Sequence, residues 1–196
     1  MARSLRLNGF ALFAALLALG ALLAWPLDPQ ILAWHGSGGG WPWRAFSAAF
    51  VHWSALHLAA NLAGCAVLAW LGLSAGLPAR CAVAWVIAWP LTQMGLLLRP
   101  ELLSYGGLSG VLHAGVAVAA IELLLRPGRD RRIGAGIALG LALKVTLEYP
   151  FGPALQQVGG WDIAVAPFAH LSGAVSGAVA GALTTCVASL AAPRSS

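Results

Sequence analysis

An all-α polytopic membrane protein, built as a bundle of six transmembrane helices, is the fold this sequence predicts, and three observations predict it. Of 196 residues, 60% are hydrophobic and only 9% are charged, with a mean hydropathy of +0.82, far more apolar than a soluble domain of average composition. Six apolar stretches have about the length, roughly 17–25 residues, that crosses a hydrocarbon core of about 30 Å; they lie near 8–25, 50–73, 79–98, 108–125, 133–150 and 167–190. With the N-terminus inside, the inner segments collect Arg3, Arg6, Arg80, Arg126, Arg129, Arg131, Arg132 and Arg194, whereas the outer ones hold only Arg44 and Arg99. That asymmetry sets the orientation.

The first span follows Arg3 and Arg6 and ends near Ala24, a pattern that a cleavable signal peptide shares; an even set of spans accounts better for the charges. The loop over 27–49, "LDPQILAWHGSGGGWPWRAF" and its neighbours, mixes Pro and Gly breakers with Trp and reads as a segment folded against the membrane surface. His35 within it is expected to be simply exposed. Trp34, Trp41, Trp43, Trp53 and Trp161 fall on the outer side, where amphipathic rings anchor depth. Cys65, Cys81 and Cys186 lie inside spans without paired spacing, so they read as small apolar residues with no disulfide or zinc role. Loops this short leave no room for a second domain, so residues 1–196 form one unit with antiparallel helical neighbours. The formal charge of +5 reflects orientation and affinity for anionic headgroups; no basic patch with interleaved aromatics suggests nucleic acid.

The second, fourth and sixth spans all run from outside to inside, so their first turns share one depth. The notable polar residues sit there: His52, His57 and Asn61 in "FVHWSALHLAANL", Ser109 and His113 in "GGLSGVLHAG", and His170 in "PFAHLSGAVSGAVAG". An ionisable group within a span is costly, by roughly 2.5–3.5 kcal/mol or more at the centre, and is a functional candidate by default. One such residue alone reads better as interhelical glue; three segments delivering Ser, His and Asn to one depth reverse that reading.

His57 and Asn61 share a helix face at a spacing of four, as do Ser109 and His113. His170, Gly173, Gly177 and Gly181 form a stripe on the sixth span that lets a neighbouring backbone approach closely. If that neighbour is the fourth span, His170 reaches the Ser109 hydroxyl, a nucleophile with its base. Gly106 and Gly107 leave the backbone free to approach Ser109, and a helix N-terminus presents unpaired N–H groups to a developing oxyanion. The Asn61 amide and the His57 imidazole add side-chain donors. No aspartate is placed to orient His170, since Asp28 and Asp162 lie in outer loops and Asp130 lies inside; a Ser-His dyad is expected. The histidines lack a carboxylate or thiolate companion in a metal-ligand pattern, so neither metal nor haem nor another cofactor is expected. Lys144 and Glu148 in the fifth span read as a self-neutralising structural pair, with proton-coupled transport as the competing reading.

"HWSALHLAAN", "GGLSG" and "AHLSGAVSG" resemble, in order and on the second, fourth and sixth spans, the H-x-x-x-N, G-x-S-G and A-H-x-x-G signatures of rhomboid intramembrane serine proteases. The resemblance covers all six spans and implies a rhomboid-like bundle with Ser109 as nucleophile, His170 as base and His57 and Asn61 on the oxyanion side. Trp43 and Arg44 resemble the family's step from loop into second helix. The short chain and its G-L-S-G-x-L-H run are most similar to the rhombosortase subfamily; many other rhomboids have Tyr, packed beside the catalytic His, where this chain has His113. That subfamily resemblance implies substrates anchored by a C-terminal tail of a Gly-Gly motif, an apolar helix and basic residues, cut near the outer face of a bacterial inner membrane, with both termini cytoplasmic and the site facing the periplasm. The first outer loop departs from larger relatives in being short and Gly-rich. The alternatives are a catalytically silent rhomboid-like binding protein and a small transporter.

Overall fold

The computed structural model describes residues 8–36 and 42–191; Arg3, Arg6, Trp41 and Arg194 lie outside the described residues. The long helices are α1 (Gly9–Ala24), α4 (Ala55–Ser74), α5 (Ala79–Met94, continued by a 3-10 turn over Gly95–Leu98), α6 (Ser109–Leu124), α7 (Arg129–Leu147) and α8 (Pro167–Ala191). Short pieces build the connections: α2 (Pro29–Leu32), α3 (Arg44–Ser47) and the two-residue strands β1 (Trp34–His35), β2 (Ser104–Tyr105), β3 (Gln156–Gln157) and β4 (Ala164–Val165). Three helices, Ala55–Ser74, Ala79–Leu98 and Pro167–Ala191, are long and apolar enough to cross a membrane, and Gly9–Ala24 and Ser109–Leu124 are shorter apolar helices. The remaining one, α7, opens on Arg129, Asp130, Arg131 and Arg132.

Local chemistry sets the boundaries. The segment expected as a span over 50–73 becomes helical only at Ala55, because the Ser54 hydroxyl caps α4 by accepting the His57 N–H at 3.1 Å. His52 therefore sits in the extended link ahead of α4 and not on its face. The segment expected over 133–150 is helical from Arg129 to Leu147. Gly128, at φ +70°, supplies its start, and Tyr149, at φ +53°, followed by Pro150, stops it. Asn8 caps α1 through the Ala11 N–H, and its amide donates to Gly72 O at 2.9 Å and Leu77 O at 3.1 Å, fastening α1 to the α4–α5 turn.

The centre of the molecule is α6, buried along most of its length. The α8 stripe runs along it: a Cβ on Gly173 would overlap Gly110 O, one on Gly177 would overlap Ala114 O, and one on Gly181 would lie 3.3 Å from Val118 Cα. On another side Trp85 of α5 donates its indole N–H to Val111 O at 2.7 Å. Away from the cavity end, Arg80 donates to both oxygens of the buried Glu122, at 2.7 and 2.8 Å, and Arg126 joins Glu122 to Ala75 O. These bonds tie the α4–α5 turn to α6.

At the other end β1 pairs antiparallel with β2, Trp34 opposite Tyr105 and His35 opposite Ser104. Two expectations change here. Trp34 is 1% exposed and packs in a second core with Leu102 and Phe168, so it fills space and does not anchor at an interface; Trp43, Trp53 and Trp161 are exposed. His35 is half-buried and held in the strand pair, because strand pairing pulls its backbone against β2. Cys65 and Cys81 are buried and Cys186 is exposed.

Candidate active site

Ser109 is the first residue of α6, and His170 lies in the first turn of α8. The glycine contacts let the two helix starts meet, and His170 Nε2 stands 2.9 Å from Ser109 Oγ. His113, one turn further along α6, stacks on the His170 ring at 4.2 Å between centroids and 11° between planes. Its own Nδ1 donates to Ser109 O at 2.7 Å, so the stacked ring is itself pinned. The group opens into a cavity of about 1100 Å³ between α4, α6, α7 and α8, with Trp53, Leu112 and Ile163 among its apolar walls.

On the other side of Ser109, His57 Nδ1 accepts the Trp53 N–H at 3.5 Å. A nitrogen that accepts carries no hydrogen, so Nε2 is the N–H donor of the neutral His57 ring and lines the cavity. Asn61 is buried and spends one amide hydrogen on His57 O at 3.1 Å, leaving the other to the cavity. Gly107 adopts φ +149°, and a Cβ there would come within 3.0 Å of the His57 ring; only glycine fits both demands. Its N–H is not available to an oxyanion, because it donates to Ala48 O at 2.9 Å. The backbone donors at this site are instead the first N–H groups of α6, which have no partner within the helix. His52 does not line the cavity but is buried behind it, its ring 4.9 Å from that of His57 and its Nδ1 donating to Phe50 O at 3.1 Å.

Two residues that the sequence reading left out of the site belong to it. Tyr105, buried below Gly107, donates its hydroxyl to Gly107 O at 3.2 Å; burial pushes the phenol up to about 12, so it stays a neutral donor. The larger correction concerns Glu148. A carboxylate does face His170: Glu148 Oε2 stands 2.7 Å from Nδ1, while Oε1 accepts Lys144 Nζ at 2.5 Å. The pair is therefore not closed on itself, and the arrangement is a line of three groups and not an isolated dyad. The signal was present in the topology: a helix running opposite to α4, α6 and α8 delivers its last residue to the depth of their first.

His113, Glu148 and His170 bring potential ligand atoms within 4.8 Å of one another, so metal binding needs a test on geometry. An imidazole binds a cation in the plane of its ring. Two rings stacked at 4.2 Å and 11° have planes that do not meet near the site, so the two histidines cannot share an ion in this arrangement.

The family model described as Rhomboid domain matches residues 39–186, a stretch that includes His57, Asn61, Ser109, His113, Glu148 and His170. No curated protein matches the chain.

Proposed function

The chain belongs to the rhomboid family, and from that premise we propose that it is an intramembrane serine protease whose six long helices cross the bacterial inner membrane, with the cavity toward the periplasm. The observation that carries the reading is the 2.9 Å approach of His170 Nε2 to Ser109 Oγ at the wall of a cavity. At about 1.5 Å per residue α6 spans roughly 24 Å, short of a core of about 30 Å. Ser109 then lies below the headgroups, in a recess that water can fill and lipid cannot.

His170 takes the Ser109 proton on Nε2 as Oγ bonds to the scissile carbonyl carbon, whose oxygen becomes the oxyanion. The first N–H groups of α6, with the free hydrogens of His57 and Asn61, receive that charge. When the carbon–nitrogen bond breaks, His170 returns the proton to the leaving amine, and a water repeats the sequence to release the acid and restore Ser109. The resemblance to rhombosortases supports a substrate class: single-span proteins with a Gly-Gly motif ahead of an apolar C-terminal helix and basic residues.

The test is labelling in membranes by a fluorophosphonate, with a Gly-Gly-tailed substrate in parallel. Because members of one catalytic unit are not additive, Ser109→Ala, His170→Ala and the double variant should lose cleavage to the same extent. Wild-type turnover in either single variant removes the Ser109–His170 unit as the source of cleavage, and absence of both cleavage and labelling in the wild type ends the protease reading and leaves a silent rhomboid-like binding protein. Cleavage of unrelated single-span substrates but not of the tailed one removes only the substrate class.

A further inference from the structure

Resting on the protease reading, we infer that Glu148 is the positioning residue that orients His170, and that Lys144, on the other carboxylate oxygen, balances the charge that His170 faces. The starting point is what a carboxylate can do. It only accepts hydrogen bonds, so the contact at 2.7 Å between Glu148 Oε2 and His170 Nδ1 requires the hydrogen to be on Nδ1. In the neutral ring Nε2 is then bare and faces Ser109 Oγ at 2.9 Å, the one tautomer that can take the serine proton. The opposite tautomer would aim a lone pair at the carboxylate and an N–H at the hydroxyl.

The backbone holds Glu148 where this contact needs it. Its N–H still bonds Lys144 O at 3.2 Å, completing the last turn of α7. Immediately afterwards the chain turns through Tyr149 at φ +53°, and Arg99 clamps the turn by donating to Pro150 O at 2.7 Å and Gly152 O at 2.6 Å. A helix end with a left-handed residue, a proline and an arginine clamp behind it is a rigid mount.

Lys144 gives the arrangement its balance. A carboxylate against Nδ1 sets up a field that favours positive charge on the ring. Lys144 Nζ, 2.5 Å from Oε1, offsets that field in the resting enzyme. When His170 becomes imidazolium, its Nδ1–H bond to Oε2 joins two opposite charges and strengthens, stabilising the ring while it holds the serine proton. The other titratable groups facing the pair are His113, stacked on His170 from α6, and His57, across the cavity on α4. Arg99, from the segment after α5, is spent on the two carbonyls and on Glu101.

The experiment measures fluorophosphonate labelling of the purified full chain against pH for the wild type, Glu148→Gln, Lys144→Gln and Ser109→Ala, with thermal unfolding of each. In Glu148→Gln the only remaining acceptor is contested by Lys144, and an amide N–H turned toward Nδ1 enforces the wrong tautomer; labelling should slow on the order of 10²-fold. Its acid limb should move to lower pH by about one unit or more, because imidazolium loses its carboxylate, whereas the limb of Lys144→Gln should move to higher pH. A residue that only holds the fold would lower the unfolding temperature without moving either limb. Acid limbs that superimpose on the wild type in both variants overturn the inference. If Glu148→Gln does not fold, the Lys144→Gln limb decides alone: an upward move supports the inference and an unmoved limb overturns it. Absence of Ser109-dependent labelling in the wild type overturns the protease reading, and this inference with it.

Discussion

A histidine that serves as base must keep its ring aimed at the serine hydroxyl while its own charge changes, and two side chains restrain His170 in complementary ways. Glu148 holds its edge through Nδ1, and His113 holds its face through the stack at 4.2 Å. An aromatic pair of this kind contributes about 0.5–1.5 kcal/mol beyond its buried area, which sets the scale of the effect. His113→Ala should slow labelling by roughly 2- to 10-fold, and His113→Tyr should fall between Ala and wild type, since it keeps a flat ring but loses the Nδ1 bond to Ser109 O. A His113→Ala loss as deep as that of Ser109→Ala would mean that His113 moves protons itself. Ser109, His113 and His170 were legible because short motifs place them at fixed steps from helix starts. Glu148 was not, since a carboxylate four residues from a lysine looks complete on the helix surface, and its second oxygen finds His170 only after the turn at Tyr149 has aimed it.

Between elements, the site depends on how near α8 comes to α6. Spacings of four residues between Gly173, Gly177 and Gly181 announce a face for close approach, and the structure sets that face against Gly110, Ala114 and Val118. The stripe is graded. At Gly177 an added Cβ would overlap backbone atoms of Ala114, which cannot yield without moving the helix, whereas at Gly181 it would stand 3.3 Å from Val118 Cα and need only a few tenths of an ångström. Gly177→Leu should therefore separate the helix starts and cut labelling by about 10² or more, the cost of roughly 1 Å of misplacement, in protein that still inserts. Gly181→Ala should label within a few-fold of wild type. Equal activity of the two variants would show that α8 does not set the Ser109–His170 distance. The helix limits themselves were less legible: Ser54 and Gly128 move the starts of α4 and α7 from their hydropathy edges by hydrogen bonding and backbone conformation, which a count of apolar residues does not register.

For the whole molecule, composition and arginine placement were enough to anticipate a helical membrane protein, and the crossing on which the topology turns is α7. It is the charged member of the set, opening on Arg129, Asp130, Arg131 and Arg132, and it buries only Gly134 and Val145. Its exposed Leu139, Leu143 and Leu147 are nevertheless what a lipid-facing surface requires, and its 19 residues reach about 28 Å at 1.5 Å per residue, close to the hydrocarbon thickness. If α7 crosses, Arg131 and Gln157, both exposed, lie on opposite sides, the arginine on the cytoplasmic side by charge bias and the glutamine on the side of the cavity, next to its lining residue Gln156. In a background with Cys65, Cys81 and Cys186 replaced by alanine, a membrane-impermeant maleimide applied to intact spheroplasts should label Gln157→Cys at once and Arg131→Cys only after permeabilisation. Labelling of Arg131→Cys alone would invert the orientation, and labelling of both from outside would mean that α7 does not cross. In that last case Glu148 could not arrive at the depth of His170, so this measurement of topology also tests whether the line from Lys144 to Ser109 exists in the membrane.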